Sequence, residues 1–265
     1  MLNTILNSKP TRLFLILGGF FIANALIAEI IGVKIFSLEK TLGWEPLHIR
    51  LFGNDLSVNL TAGVLLWPVI FIMTDIINEY YGMKGVRFLS YLTAILIAFA
   101  FIIFYGAMKL TPADFFIGSK QGSGVPDMSK AYNSVLGQGG FIIIGSLTAF
   151  ILGQLIDVFV FHKIKKVTGE KRIWLRATGS TLISQFIDSF VVLFIAFYVG
   201  TRVNQTGNDF VWPFDLFIAV GVVNYIYKFI VAILLTPVIY LIHGWIERYL
   251  GHEQAAEMKR AAMMN

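Results

Sequence analysis

From Phe88 to Met108, between Arg87 and Lys109, the chain carries no charged residue. As a helix rising about 1.5 Å per residue, such a run crosses the ~30 Å hydrocarbon layer of a bilayer. It has counterparts. Leu13 to Ala28 continues through Ile30 and Ile31, and a second run lies between Asp55 and Asp75 with Trp67-Pro68 inside it. Further runs extend from about Gly139 to Phe161, Ala177 to Gly200 and Phe214 to Trp245. The spans are placed at about 13–33, 57–78, 88–109, 139–161, 177–200 and 214–245. Barrel strands would alternate over short stretches, whereas these runs are apolar all round, so helices are predicted. The expected fold is an all-α membrane protein: six transmembrane helices in a single integral membrane domain over residues 1–265, with no soluble domain. The last run is long enough to tilt, or to kink at Thr236-Pro237.

Composition agrees. Of the 265 residues 57% are hydrophobic and 14% charged, with a mean hydropathy of +0.74, against ~25% charged in soluble domains. Cysteine is absent, which excludes disulfides, thiolate metal sites and cysteine nucleophiles. The net charge of +5 is a topology signal rather than a nucleic-acid footprint. With the N terminus inside, thirteen basic residues fall on the inner side and seven on the outer. Lys163, Lys165, Lys166, Lys171, Arg172 and Arg176 crowd one short inner segment. Both termini are therefore expected in the cytoplasm, and the segment Thr111–Gly137, rich in Gly, Ser and Pro, reads as a flexible outer loop. Three spans before that loop and three after it would make oppositely oriented halves. Ala23-Asn24-Ala25 resembles a cleavage triplet but sits inside the first apolar run, so that segment is expected to be retained.

Six ionisable residues lie within or at the edges of the spans: Glu29, Asp75, Glu79, Asp157, Asp188 and Lys228. A charge at mid-bilayer costs roughly 2.5–3.5 kcal/mol on insertion scales, so such residues face a bundle interior or a wet cavity. Asp75 with Asn78 and Glu79, Gln154 with Asp157, Gln185 with Asp188, and Asn224 with Lys228 are spaced to share one helix face. Gly153-Gln154-Leu155-Ile156-Asp157 is echoed by Ser184-Gln185-Phe186-Ile187-Asp188, so two Gln-x-x-Asp faces are expected to line one cavity. Packing is the competing role: interhelical polar contacts contribute about 0.6 kcal/mol each, and Glu29, near a span end, fits that role. Lys228, the one basic residue well inside a span, is expected to pair with Asp188. The histidines fall in loops or at helix ends, and no H-E-x-x-H, G-x-S-x-G or Walker sequence occurs. The phrase Gly137-Gln138-Gly139-Gly140 opens no strand–helix unit and is no phosphate loop. No cofactor, metal or catalytic residue is expected, and energy must come from an ion gradient, a substrate gradient or another subunit.

Met73-Thr74-Asp75, the block Leu152-Gly153-Gln154-Leu155-Ile156-Asp157-Val158-Phe159-Val160-Phe161, Gly179-Ser180-Thr181-Leu182 leading to Asp188-Ser189, and Asn224-Tyr225-Ile226-Tyr227-Lys228 carry a resemblance. With these residues the chain resembles the queuosine precursor transporter family, also called the vitamin uptake transporter family, from the second helix to the sixth. Gln185 stands where a small amide such as Asn is expected, and Asn224 where an Asp can precede the aromatic-x-aromatic-Lys group. The resemblance implies a multi-pass inner-membrane protein that imports a small molecule, a 7-deazapurine such as 7-cyano-7-deazaguanine or 7-aminomethyl-7-deazaguanine. Its partners would be that substrate and the lipid bilayer, not nucleic acid, with the coupling ion open. The candidate substrate-binding residues are Gln154, Asp157, Gln185, Asp188, Asn224, Lys228, Asp75, Asn78 and Glu79. Two other readings compete: the substrate-binding subunit of an ATPase-driven vitamin importer, and an intramembrane enzyme using the buried carboxylates.

Overall fold

The computed structural model describes residues 8–137, 140–169, 172–203 and 211–264. Gln138 and Gly139, in the glycine-rich phrase and at the start of the fourth predicted span, and Lys171, counted among the inner basic residues, lie outside the described residues. Five helices are long and apolar enough to cross a membrane. They are α1 (Lys9–Ile31), α2 (Trp67–Met108), α4 (Gly140–Thr168), α5 (Ile173–Leu193, continued through a π-helical turn to Val203) and α6 (Phe214–Leu250). Between α2 and α4 lies the nine-residue helix α3 (Met128–Leu136), and after α6 comes α7 (His252–Met264).

The expected second and third spans share α2, which is why five long helices stand where six runs were read. The helix breaks at Gly82, whose φ of 70° and ψ of −173° belong to glycine alone at low cost. Phe14 of α1 packs on Tyr81 before the break, with ring centroids 4.9 Å apart, and also approaches Gly85 after it. Four residues on along α1, Gly18 meets Leu89. Ile77 and Gly85 approach each other across the break, so the two segments lie side by side rather than end to end. Gly82 is pinned there because an added Cβ would stand 2.8 Å from the Ala262 carbonyl oxygen of α7.

Other boundaries also differ from the sequence reading. The second apolar run was begun at 57, but helix starts only at Trp67, with Pro68 in its first turn, where proline's missing N–H costs nothing. Residues before it form strand and 3₁₀ turn. β1 (Ile35–Ser37) pairs antiparallel with β4 (Asn59–Thr61), and β2 (Ile49–Leu51) with β3 (Asn54–Leu56). This small cap has its own apolar cluster of Val58, Leu60, Val64 and Val223, and Asn54 reaches Asp215 at the start of α6. The segment Thr111–Gly137 is not irregular: α3 and short helical turns fill much of it, with Asp127 capping the Lys130 N–H. Finally α6 continues through Pro237 to Leu250 as one helix.

The terminal segments meet at the end of the bundle opposite the cap. Tyr81 donates to the Pro10 carbonyl at 2.7 Å, the Lys9 ammonium lies over the Tyr249 ring, and α7 packs Ala255 and Ala262 inward. The main core runs from Leu13, Phe21 and Ala25 of α1 through Ile70, Ile76 and Ile77 of α2 to Phe150 and Phe161 of α4. At roughly 25 cal/mol per Å² of apolar area removed from water, that burial stabilises a fold in water, but against lipid the packing itself carries the load. Outward faces of the long helices are correspondingly apolar: Ile95, Ile102, Phe99, Leu234 and Trp245 are all more than half exposed. A surface of that kind suits lipid contact.

Candidate functional site

A cavity opens among α2, α5 and α6, with about 490 Å³ of empty space when the solvent at its mouth is counted. Its walls are largely apolar, with Trp67, Pro68, Phe71 and Ile72 from α2 facing Val231, Ala232, Leu235 and Ile239 from α6. Trp67 and Phe71, one turn apart, nearly stack, with centroids 6.2 Å apart and planes 28° apart. Into this wall project Asp75, Thr178, Thr181, Gln185, Tyr227 and Lys228. Ligand sites combine a mainly apolar lining with a few convergent polar groups, and the lining of this cavity has that composition.

The polar groups of the cavity are unevenly satisfied. Asp75 is 2% exposed and its Oδ1 has no hydrogen-bond partner among the described residues. Gln185 is equally buried, and both its Oε1 and its Nε2 are without partners. Buried polar atoms are nearly always paired, because an unmade bond costs about 1–3 kcal/mol. A carboxylate oxygen and a complete amide on one cavity could together accept from a donor and donate to an acceptor. Lys228, by contrast, is already engaged: its ammonium donates to Asp188 at 2.5 Å, the pairing expected from the sequence, with both side chains less than a fifth exposed.

The two Gln-x-x-Asp faces do meet, but not as two walls of one cavity. Ser184 donates to Asp157 at 3.1 Å, and Gly153 lets α4 approach the Asp188 side chain closely. Gln185 faces the cavity, whereas Gln154, Asp157 and Asp188 sit behind its lining. Gln154 accepts from Thr74 at 3.0 Å, which ties α4 to α2. Asn224 is half-buried, one turn from Lys228, and outside the lining. The remaining sequence candidates belong to a different structure. Asn78 accepts from His162 at 2.9 Å, and Glu79 is held by Arg176, whose fork donates at 2.7 and 3.1 Å, and by the Lys165 ammonium at 3.0 Å. All three members of that cluster are essentially inaccessible.

These contacts bear on two readings. Neither Glu79 nor Asn78 is in the cavity lining: Glu79 is held by Arg176 and Lys165, and Asn78 accepts from His162 while its Nδ2 has no partner among the described residues. Lys228 is not the sole basic side chain inside the bundle, since Lys165 and Arg176, counted by sequence as inner-edge charges, fold inward onto Glu79. The reason is geometric: Lys165 and Arg176 sit at adjoining ends of α4 and α5, at the level where α2 presents Glu79. Glu29 has the packing role allowed for it, buried and accepting from Ser146 of α4. Sequence reasoning passed over Trp67, Phe71, Thr178 and Tyr227 as cavity residues. Trp67-Pro68 at the start of a helix was visible, but an aromatic in an apolar run carries no signal of which way it faces.

An apolar helical bundle with a partly polar cavity in its interior defines a multi-pass membrane protein built to hold a small solute. The match to known proteins is specific. Residues 61–242 match the family described as "Putative vitamin uptake transporter", and the chain belongs to that family of transporters, which is not enzymatic. It is 28% identical over 197 residues to the "Probable queuosine precursor transporter" of Bacillus subtilis (strain 168), covering 72% of this chain and 73% of that one. A protein of the same description from Haemophilus influenzae is 26% identical over 242 residues, 88% of this chain and 87% of the other. The "Queuosine precursor transporter" of Escherichia coli (strain K12) is 31% identical over 150 residues, 57% and 61% of the two chains. No solved structure matches the chain.

Proposed function

We propose that this protein imports a queuosine precursor of the 7-deazapurine class, such as 7-cyano-7-deazaguanine or 7-aminomethyl-7-deazaguanine, across the inner membrane. In this reading the two segments of α2 on either side of Gly82 are separate crossings. The chain then has six spans in two oppositely oriented halves, with both termini in the cytoplasm. Contacts of residues 9–14 and of α7 at one end of the bundle support an even number of crossings.

The observation that carries the substrate is the pairing of unpartnered groups on one aromatic-walled cavity. A guanine-like edge offers adjacent N–H donors, which a carboxylate accepts in paired fashion, and a carbonyl that needs a donor. Asp75 Oδ1 and the Gln185 amide supply that complement, while Trp67 and Phe71 offer faces for a flat ring. Lys228 and Asp188 stand beside the base, and Asp157 and Gln154 support the wall.

The test is uptake of labelled deazapurines by cells without their own carrier or biosynthesis, read as queuosine in tRNA. Asp75→Asn and Gln185→Ala each leave a buried ligand group unpaired, at a cost of about 1–3 kcal/mol or roughly 5–150-fold in affinity. Uptake unchanged in both variants at equal protein levels would remove this site. Uptake that requires a separate ATPase module would instead make the protein a binding subunit.

A further inference from the structure

Not every buried carboxylate in the bundle is matched by a cation. Asp188 has Lys228, and Glu79 has both Arg176 and Lys165. Asp75 and Asp157 have no ion pair among the described residues, yet both are at least 98% buried. They also lie on two helices that are hydrogen-bonded to each other beside them. The Thr74–Gln154 bond lies on one side of them and the Asn78–His162 bond on the other, so α2 and α4 are clamped at both edges of the Asp75–Asp157 level. Each aspartate directs one oxygen, Asp75 Oδ1 and Asp157 Oδ2, to a position with no hydrogen-bond partner among the described residues. Ser180, Thr181 and Ser184 of α5 surround Asp157 with hydroxyls.

The local charges point the same way. Asp75, Asp157 and Glu79 bring three negative charges, and Lys165 and Arg176 bring two positive ones. His162 is engaged with Asn78, Asp188 and Lys228 of α5 and α6 cancel each other, and Glu29 of α1, buried and bonded by Ser146, lies towards Asp188 rather than this pair. One negative charge is left in a setting where an uncompensated charge costs several kcal/mol. A single monovalent cation removes it.

We infer that the Asp75–Asp157 pair binds one monovalent coupling cation, a proton or sodium, between α2 and α4. Because Asp75 also lines the cavity, it joins the cation site to the substrate site. A cation on the pair sets the charge and hydrogen-bonding that Asp75 presents to the solute, so the two ligands bind cooperatively. The inference rests on the cavity being the substrate site, but cation binding itself does not require the solute to be identified.

The experiment has two readouts. The first uses purified wild-type protein without solute, melted in sodium and in choline chloride of equal ionic strength, at acidic and at alkaline pH. A sodium site raises the melting temperature in sodium only, most at alkaline pH. A proton site gives no sodium effect and a pH-dependent melting temperature that flattens in Asp157→Asn. The second readout is uptake of 7-cyano-7-deazaguanine into proteoliposomes under an imposed sodium or proton gradient. Accumulation is expected to collapse at least tenfold in Asp157→Asn and in Asp75→Asn, and Asp75→Asn should in addition weaken solute binding measured without a gradient. Failure of wild-type protein to take up the solute would strike the substrate reading alone. Melting that responds to neither sodium nor pH, or gradient-driven accumulation intact in Asp157→Asn, overturns the cation site.

Discussion

Replacing Glu79 with Gln tests how the terminal end of the bundle is held shut. The substitution keeps the shape of the side chain and removes its charge. In the native protein the carboxylate accepts three charge-assisted contacts: two from the Arg176 fork at 2.7 and 3.1 Å and one from Lys165 at 3.0 Å. A glutamine has one acceptor oxygen and an NH2 group in place of the other, so at least one contact turns into donor facing donor. Two cations, on residues no more than 1% exposed, then share no carboxylate and keep backbone partners such as the Gly169 and Glu79 carbonyls. Breaking a buried pair by removing one partner costs about 3–5 kcal/mol. For a chain of this size that is roughly 6–20 °C in melting temperature. The assay is detergent-solubilised thermal unfolding followed by size-exclusion fluorescence, with Glu79→Gln compared against Glu79→Leu combined with Lys165→Met and Arg176→Met. The triple change removes all three charges of the cluster itself and should recover part of the loss. A Glu79→Gln melt within about 2 °C of wild type would refute the claim that this cluster is a desolvated ion network.

Three further outcomes follow from the geometry. Gly82→Ala places a Cβ against the Ala262 carbonyl in a backbone conformation that costs other residues about 1–3 kcal/mol, so folded yield and melting temperature should both drop. Lys228→Met should damage stability more than Lys228→Met combined with Asp188→Asn. A double-mutant cycle should give a coupling of about 0.5–3 kcal/mol, and zero coupling would assign the lysine elsewhere. In the cap, burial pushes the Glu39 carboxyl up, but the Val58 N–H at 2.6 Å and the Ser37 hydroxyl at 2.9 Å, with other donors, bring it below the ordinary carboxylate range. Its contribution is therefore present above the unfolded-state value and lost as pH falls through the folded one. Glu39→Gln should flatten the acid side of the stability profile, and an unchanged profile would rule the contribution out.

The long helices could be read from the sequence because the property that marks them is compositional: a run such as Phe88–Met108 needs no partner to be recognised. The break between the second and third spans was bracketed by charges at Lys84 and Arg87, yet the residue that makes it, Gly82, depends on a positive φ and on Ala262 far along the chain. The pairing of Asp188 with Lys228 was legible because each lies mid-span and had few alternatives. The ion pairs of Glu79 were not legible because Arg176 and Lys165 look like edge charges by position. Only the level at which three helices end brings them inward. The cavity wall was the least legible part, since Trp67, Phe71 and Tyr227 differ in no local way from aromatics that face lipid, such as Phe99 or Trp245.

The two ends of the bundle are closed by different physics, and that difference bears on how a solute passes. At the terminal end Glu79, Lys165 and Arg176 form a desolvated ion network, reinforced by Tyr80 with His243 and by Lys259 with Glu247. Parting it requires either water to enter or charges to be exchanged, because a cluster stripped of one member is left with buried charge. At the other end the cap rests on a few aliphatic side chains, Val58, Leu60, Val64 and Val223, and on the Asn54–Asp215 contact, where Asp215 is exposed. Such a contact separates without desolvated charge. Val64 and Tyr227 belong both to the cap cluster or its fringe and to the cavity lining, so movement of the cap changes the cavity wall directly. Asp75 lies between the two closures, one turn from Glu79 and on the cavity itself. A change of charge at Asp75 is therefore felt by the ion network that closes the terminal end of the bundle.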